Sequence, residues 1–87
     1  MRERILKIGM KNWPDVRLKP IARELRISHA AILYYFKSAK NFREEIIQYA
    51  LLTRNHKVLA QLITARHPAV AHLSDRMRRY YLQSFHH

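Results

Sequence analysis

One glycine, Gly9, and three prolines, Pro14, Pro20 and Pro68, are all that interrupts regular backbone in this 87-residue chain. No period-two alternation is sustained, and neither Asn-Gly nor Asp-Gly occurs to turn a hairpin. Apolar residues recur at helical spacing throughout. Few breakers and a helical period together predict an all-α chain, its boundaries set by the prolines and by capping residues.

Ile5, Leu6, Ile8 and Gly9-Met10 give a first helix, about Arg2 to Asn12, one apolar side. Trp13 precedes Pro14, which disfavours helical geometry there and ends it. A second helix covers about Leu18 to Leu25, with Pro20 in the first turn, where a missing N–H is harmless. Ser28 is a natural N-cap for a third helix, about His29 to Phe36. After a short break in "KSAKN", a long fourth helix is predicted from Ala39 or Lys40 to about Arg66, a stretch without Gly or Pro. Pro68 marks a fresh start, and a fifth helix runs to about Ser84. The expectation is one domain over 1–87: three helices in about 1–38, then two C-terminal helices in about 39–87.

Within helices two and three, apolar residues fall at Ile21, Leu25, Ile27, Ile32 and Tyr35, with Ala22 beside Ile21. The first gap is one helical turn, the second rounds a tight corner, and the last two line the inner face of the next helix. Ala22 is small where two helices must cross closely. This is the hydrophobic skeleton of a helix-turn-helix, whose second helix enters the DNA major groove. Arg26 occupies the turn position often taken by Gly, and carries a steric cost there if its φ is positive.

Charge points the same way. Seventeen Lys/Arg face six Asp/Glu, a net of +11, which is the composition of a protein that meets nucleic acid or another anionic surface. Residues 1–43 hold eleven of the cations and three of the acids, so the helix-turn-helix half is the electrostatic half. Cysteine is absent, which fits a reducing compartment. No apolar run is long enough for a membrane span. His56, His67 and His72 are too scattered for a zinc site, so no metal is expected. With no Ser/His/Asp set, paired carboxylates or Gly-rich phosphate loop, neither an enzyme nor a cofactor is expected.

The pieces "RERILKIGM", "IARELRIS" and "SHAAILYYFKSAKNFREEII" resemble the start of the TetR (tetracycline-repressor-like) family of bacterial regulators. The likeness covers about residues 2–50. The "YYFKSAKNF" block matches the family's Tyr-Phe and following break. The resemblance implies a DNA-binding, transcription-regulating domain. Departures are visible: the first helix and its loop are about five residues short, Leu33 stands where Tyr is common, and the frequent Lys of the break falls at Ala39, between Lys37 and Lys40. The large C-terminal effector domain has no counterpart, so no small-molecule effector is expected.

In this reading His29, Ala30, Leu33 and Tyr34 share the outer face of the third helix and address base edges in the groove. Arg17, Lys19, Arg23, Arg26, Ser28, Lys37 and Lys40 address phosphates, which position a protein without specifying sequence. Tyr35 and Phe36 face inward. The "MRER" arm is a weaker DNA candidate, and "DRMRRYY" (75–81) reads as a solvated basic face with tyrosines at an interface. Apolar stripes on the last two helices are broad for so small a chain. Leu52, Leu59, Leu62, Ile63, Val70, Leu73, Met77 and Tyr81 are therefore assigned to a homodimer interface, which would set two recognition helices about 34 Å apart on a palindromic operator.

The expected function is a small dimeric repressor in the bacterial cytoplasm, associated with the nucleoid; a plasmid or phage control circuit fits its size. Two alternatives share the composition: a nucleoid-type DNA binder without sequence preference, and a protein-interaction module such as an antirepressor acting through the C-terminal helices.

Overall fold

α1 (Arg2–Asn12) buries Ile5, Leu6, Gly9 and Met10 on one side, as the spacing dictates. It ends where Trp13 takes an extended ψ of 138° before Pro14. α2 (Leu18–Leu25) and α3 (His29–Phe36) follow with the expected bounds. Then come α4 (Ala39–Thr53), α5 (His56–Thr64), a 3-10 turn at Pro68–Val70 and α6 (Asp75–Phe85). The computed structural model describes residues 1–85; the side chains of Ser84 and Phe85, the latter part of the stripe read on the last helix, and His86-His87 lie outside the described residues. Among the described residues every regular element is helical.

α4 is the centre of the arrangement. It packs on α1 and α3 to one side and α5 to the other, and α2 closes against α1 and α3. Ile5, Ile32, Phe36, Phe42 and Ile46 are fully excluded from solvent, each side chain contributing roughly 1.5–3 kcal/mol. Polar bonds tie the same helices. The Tyr49 hydroxyl on α4 donates to Glu3 Oε1 on α1 at 2.9 Å, and this bond holds the phenol above its usual pKa. Lys57 Nζ reaches back from α5 to the Lys11 carbonyl at 2.8 Å, capping the end of α1.

The long fourth helix expected from Ala39 to Arg66 is in fact two. Arg54 sits in the left-handed region (φ 54°, ψ 49°), and the Asn55 side chain accepts from the Val58 N–H at 3.0 Å to start α5. Pro68, expected to open the last helix, opens a 3-10 turn capped by His67 instead. α6 begins at Asp75, with the Ser74 hydroxyl accepting from the Met77 N–H at 3.3 Å. The two differences have separate local causes. The split falls at Arg54, an arginine in a backbone position normally marked by glycine, and the later start of α6 follows the Ser74 cap rather than Pro68.

Because α5 folds back at Arg54, both its sides are covered: it packs against α4 and, most extensively, α6. This corrects the dimer assignment. Leu59, Leu62, Val70 and Tyr81 are buried in the chain's own core, and Ile63 and Leu73 are half-buried against it. Of the eight assigned residues, only Leu52 (79% exposed) and Met77 (37%) remain open.

Candidate nucleic-acid interface

α2 ends in a three-residue turn, Arg26-Ile27-Ser28, built as a Schellman motif. The Ile27 N–H donates to the Ala22 carbonyl at 3.0 Å and the Arg26 N–H to that of Arg23 at 3.2 Å. Arg26 has φ 57° and ψ 42°, so the steric cost anticipated for it is present. Ser28 then caps α3, its Oγ accepting from the Ala31 N–H at 3.1 Å. Ile21 and Ala22 on α2 and Ile32 and Phe36 on α3 go into the core, which fixes how α3 is rotated.

That rotation exposes the other face. His29 and Ala30 are exposed, Tyr34 is 83% exposed, and Leu33 is half-buried at the edge. Tyr35, expected inside, is 38% exposed and meets Tyr34 edge-on with ring centroids 5.5 Å apart. The inner pair is Ile32 and Phe36, one helical turn apart, so the residue between Tyr34 and Phe36 falls to the flank. Phe36 packs on Phe42 at 4.7 Å between centroids.

Lys37 ends α3 with φ 72° and ψ −41°, and the Ser38 N–H donates across it to the Phe36 carbonyl at 2.9 Å. This is a γ-turn of the rare, strained hand. The same carbonyl accepts from Asn41 Nδ2 at 2.7 Å, and Asn41 also donates to Glu45 Oε2 at 3.1 Å. Glu45 in turn pairs with Arg2, whose guanidinium carbon lies 5.0 Å from the Phe36 centroid. Arg2 of the "MRER" arm is thus engaged within the chain, on Glu45 and against Phe36 at the end of α3, although it remains exposed; nothing in its sequence context set it apart from Arg4.

The expected phosphate ligands divide. Lys19, Arg23, Arg26, Lys37 and Lys40 are exposed and make no ion pair among the described residues. The Ser28 oxygen is occupied as a cap. Arg17 is held on Asp15 by two bonds, Nε to Oδ1 at 2.9 Å and Nη2 to Oδ2 at 2.8 Å. Those hydrogen bonds keep the Asp15 carboxyl below its ordinary range and raise Arg17 further. Arg17 is therefore a cation already partnered.

Among the described residues, no helix is long and apolar enough to cross a membrane, and no three His, Cys, Asp or Glu are grouped to hold a metal ion. No protein-family model, curated protein or solved structure matches the chain.

Proposed function

We propose that this chain is a sequence-specific DNA-binding protein that places α3 in the major groove as the second helix of a helix-turn-helix and represses transcription by occupying an operator. The observation that carries it is the division of α3 into a fully buried side, Ile32 and Phe36, and an outward side where Tyr34 stands 83% exposed beside His29 and Ala30. Aromatic and imidazole groups on a rigid, outward helix face suit base-edge contacts. The unpaired Lys19, Arg23, Arg26, Lys37 and Lys40 supply a phosphate clamp whose affinity falls steeply with salt. Two copies on a palindromic site, meeting in part through the open Leu52 and Met77, complete the reading. The resemblance of about residues 2–50 to the DNA-binding end of TetR-like regulators belongs to the same proposal.

The test is selection of bound duplexes from a random pool at raised salt. A recovered palindrome supports a dimeric, sequence-reading protein. Uniform retention of all sequences would instead favour the nucleoid-type binder, and no retention at any salt would sink both.

A further inference from the structure

Between the end of α5, the 3-10 turn and α6 lies a cleft of about 440 Å³ lined by Ile63, Arg66, His67, Val70, Ala71 and Arg78. The volume suits a small organic molecule. Val70 is buried and Ile63 half-buried, so the lining includes apolar surface already fixed by the core. Its charged and polar side chains are two guanidiniums and an imidazole, with no carboxylate among them.

The state of each group matters. His67 Nδ1 accepts the Ala69 N–H at 3.0 Å, so the neutral ring carries its proton on Nε2 and offers a donor there. Arg78 Nη2 donates to the Ala71 carbonyl at 2.9 Å, which fixes the guanidinium across the cleft wall. Asp75 approaches its Nη1 only to 3.6 Å and is itself 87% exposed, so solvent screens that pair. The Arg66 side chain makes no ion pair or hydrogen bond among the described residues, although its backbone is pinned at φ 55°. The carbonyls ending α5 do not compete for a ligand's place: Gln61, Leu62 and Ile63 accept from Ala65, His67 and Arg66.

We propose that this cleft binds a small organic carboxylate, its charge shared by Arg66 and Arg78 and its apolar body laid on Ile63 and Val70. Guanidinium forks match a planar carboxylate in two parallel bonds. A bare inorganic anion would leave the apolar lining wet. The site is separate from the DNA face, and its test involves no DNA.

The full chain, labelled with nitrogen-15, is titrated with octanoate, octanamide and inorganic phosphate while amide shifts are followed. Octanoate is expected to shift Ile63, Arg66, His67 and Ala71 saturably, with a midpoint near or below about 1 mM. Octanamide should bind at least about tenfold more weakly, and Arg66→Gln should weaken octanoate by about tenfold without moving the urea midpoint. Absence of saturable shifts at these residues overturns the proposal. Equal binding of octanamide overturns it too, since the charge would be idle. So does phosphate matching octanoate, which would mark a surface ion site, or an Arg66→Gln protein that binds as tightly as the parent.

Discussion

Arg43 of α4 holds its guanidinium carbon 4.4 Å from the centroid of the Trp13 ring and donates from Nη1 to the Pro14 carbonyl at 2.9 Å. One side chain thus fastens the loop between α1 and α2, and with it the approach to Asp15 and Arg17, onto the helix that follows α3. The cation–π contact and the charged hydrogen bond together are worth about 1–2 kcal/mol. Arg43→Ala should lower stability by that amount in urea unfolding. Trp13 is the only tryptophan and 95% buried, being 5% exposed, so its emission should move to longer wavelength. An unchanged spectrum and midpoint would show the clamp to be idle.

Gly9 faces Ile46 across the α1–α4 contact. A Cβ there would lie 2.4 Å from Ile46 Cδ1 and 2.9 Å from Cγ1, and Ile46 is fully buried with nowhere to retreat. Alanine would gain about 1 kcal/mol of helix propensity but meet an overpacking cost of about 1–3 kcal/mol. Gly9→Ala is therefore expected to be neutral to about 2 kcal/mol destabilising by thermal or urea unfolding. Adding Ile46→Val should recover part of the loss. A stabilised Gly9→Ala protein would mean that the helices part readily here.

Three helices end on an arginine in the left-handed region, Arg26 (φ 57°), Arg54 (φ 54°) and Arg66 (φ 55°). Glycine at such a position relieves about 1–2 kcal/mol of strain. It returns roughly 0.5–1 kcal/mol as unfolded-chain entropy and forfeits a few tenths from the cation near the helix end. Arg54→Gly and Arg26→Gly should each gain up to about 1 kcal/mol in urea unfolding. Only Arg26→Gly should also weaken DNA binding, reducing the salt slope by about one. If both variants bind DNA as the parent does, Arg26 has no phosphate role.

Asp15 restrains Arg17. Its folded pKa is depressed below the ordinary 3.8, chiefly by the Arg17 hydrogen bond, so the pair's contribution to stability is full above that ordinary value and is lost as pH falls through the depressed one. The melting temperatures of the parent and Asp15→Asn should converge as acidity rises across that window. At neutral pH, Asp15→Asn removes a negative charge and releases Arg17, and DNA affinity is expected to rise by a few-fold, roughly 3–10. Weaker DNA binding by Asp15→Asn would mean that the ion pair presents Arg17 rather than sequestering it.

Under the proposed function, Tyr34 and Ile32 would separate recognition from folding within one helix. Tyr34→Ala touches no core residue and should move stability by no more than about 0.5 kcal/mol, yet weaken operator binding at least about tenfold. Ile32→Ala should cost about 2–5 kcal/mol through the cavity it leaves. Circular dichroism melts and binding isotherms on the same samples check both. A Tyr34→Ala protein with parental affinity would remove the central residue of the DNA reading.

Local chemistry carried the first half of the molecule. α1 ends before Pro14, α2 starts with Pro20 in its first turn and α3 starts at the Ser28 cap, because those signals act within one helical turn and need no partner. Which aromatic of Tyr34-Tyr35-Phe36 goes inside was less legible. Ile32 selects Phe36 one turn later, but only the seat against Phe42 makes that choice binding and leaves Tyr35 on the flank.

The sequence by itself determined an all-helical, strongly basic chain and the position of its N-terminal helices, since period, capping and charge are properties of neighbours along the backbone. Tertiary structure decided the rest. It split the stretch from Ala39 to Arg66 at Arg54, a residue with no intrinsic preference for a break, and buried Leu59, Leu62, Val70 and Tyr81 within the chain. A left-handed arginine is unfavourable in isolation and persists because the turn it makes brings α5 onto α4 and α6 at once, where buried apolar surface outweighs about 1–2 kcal/mol of backbone strain.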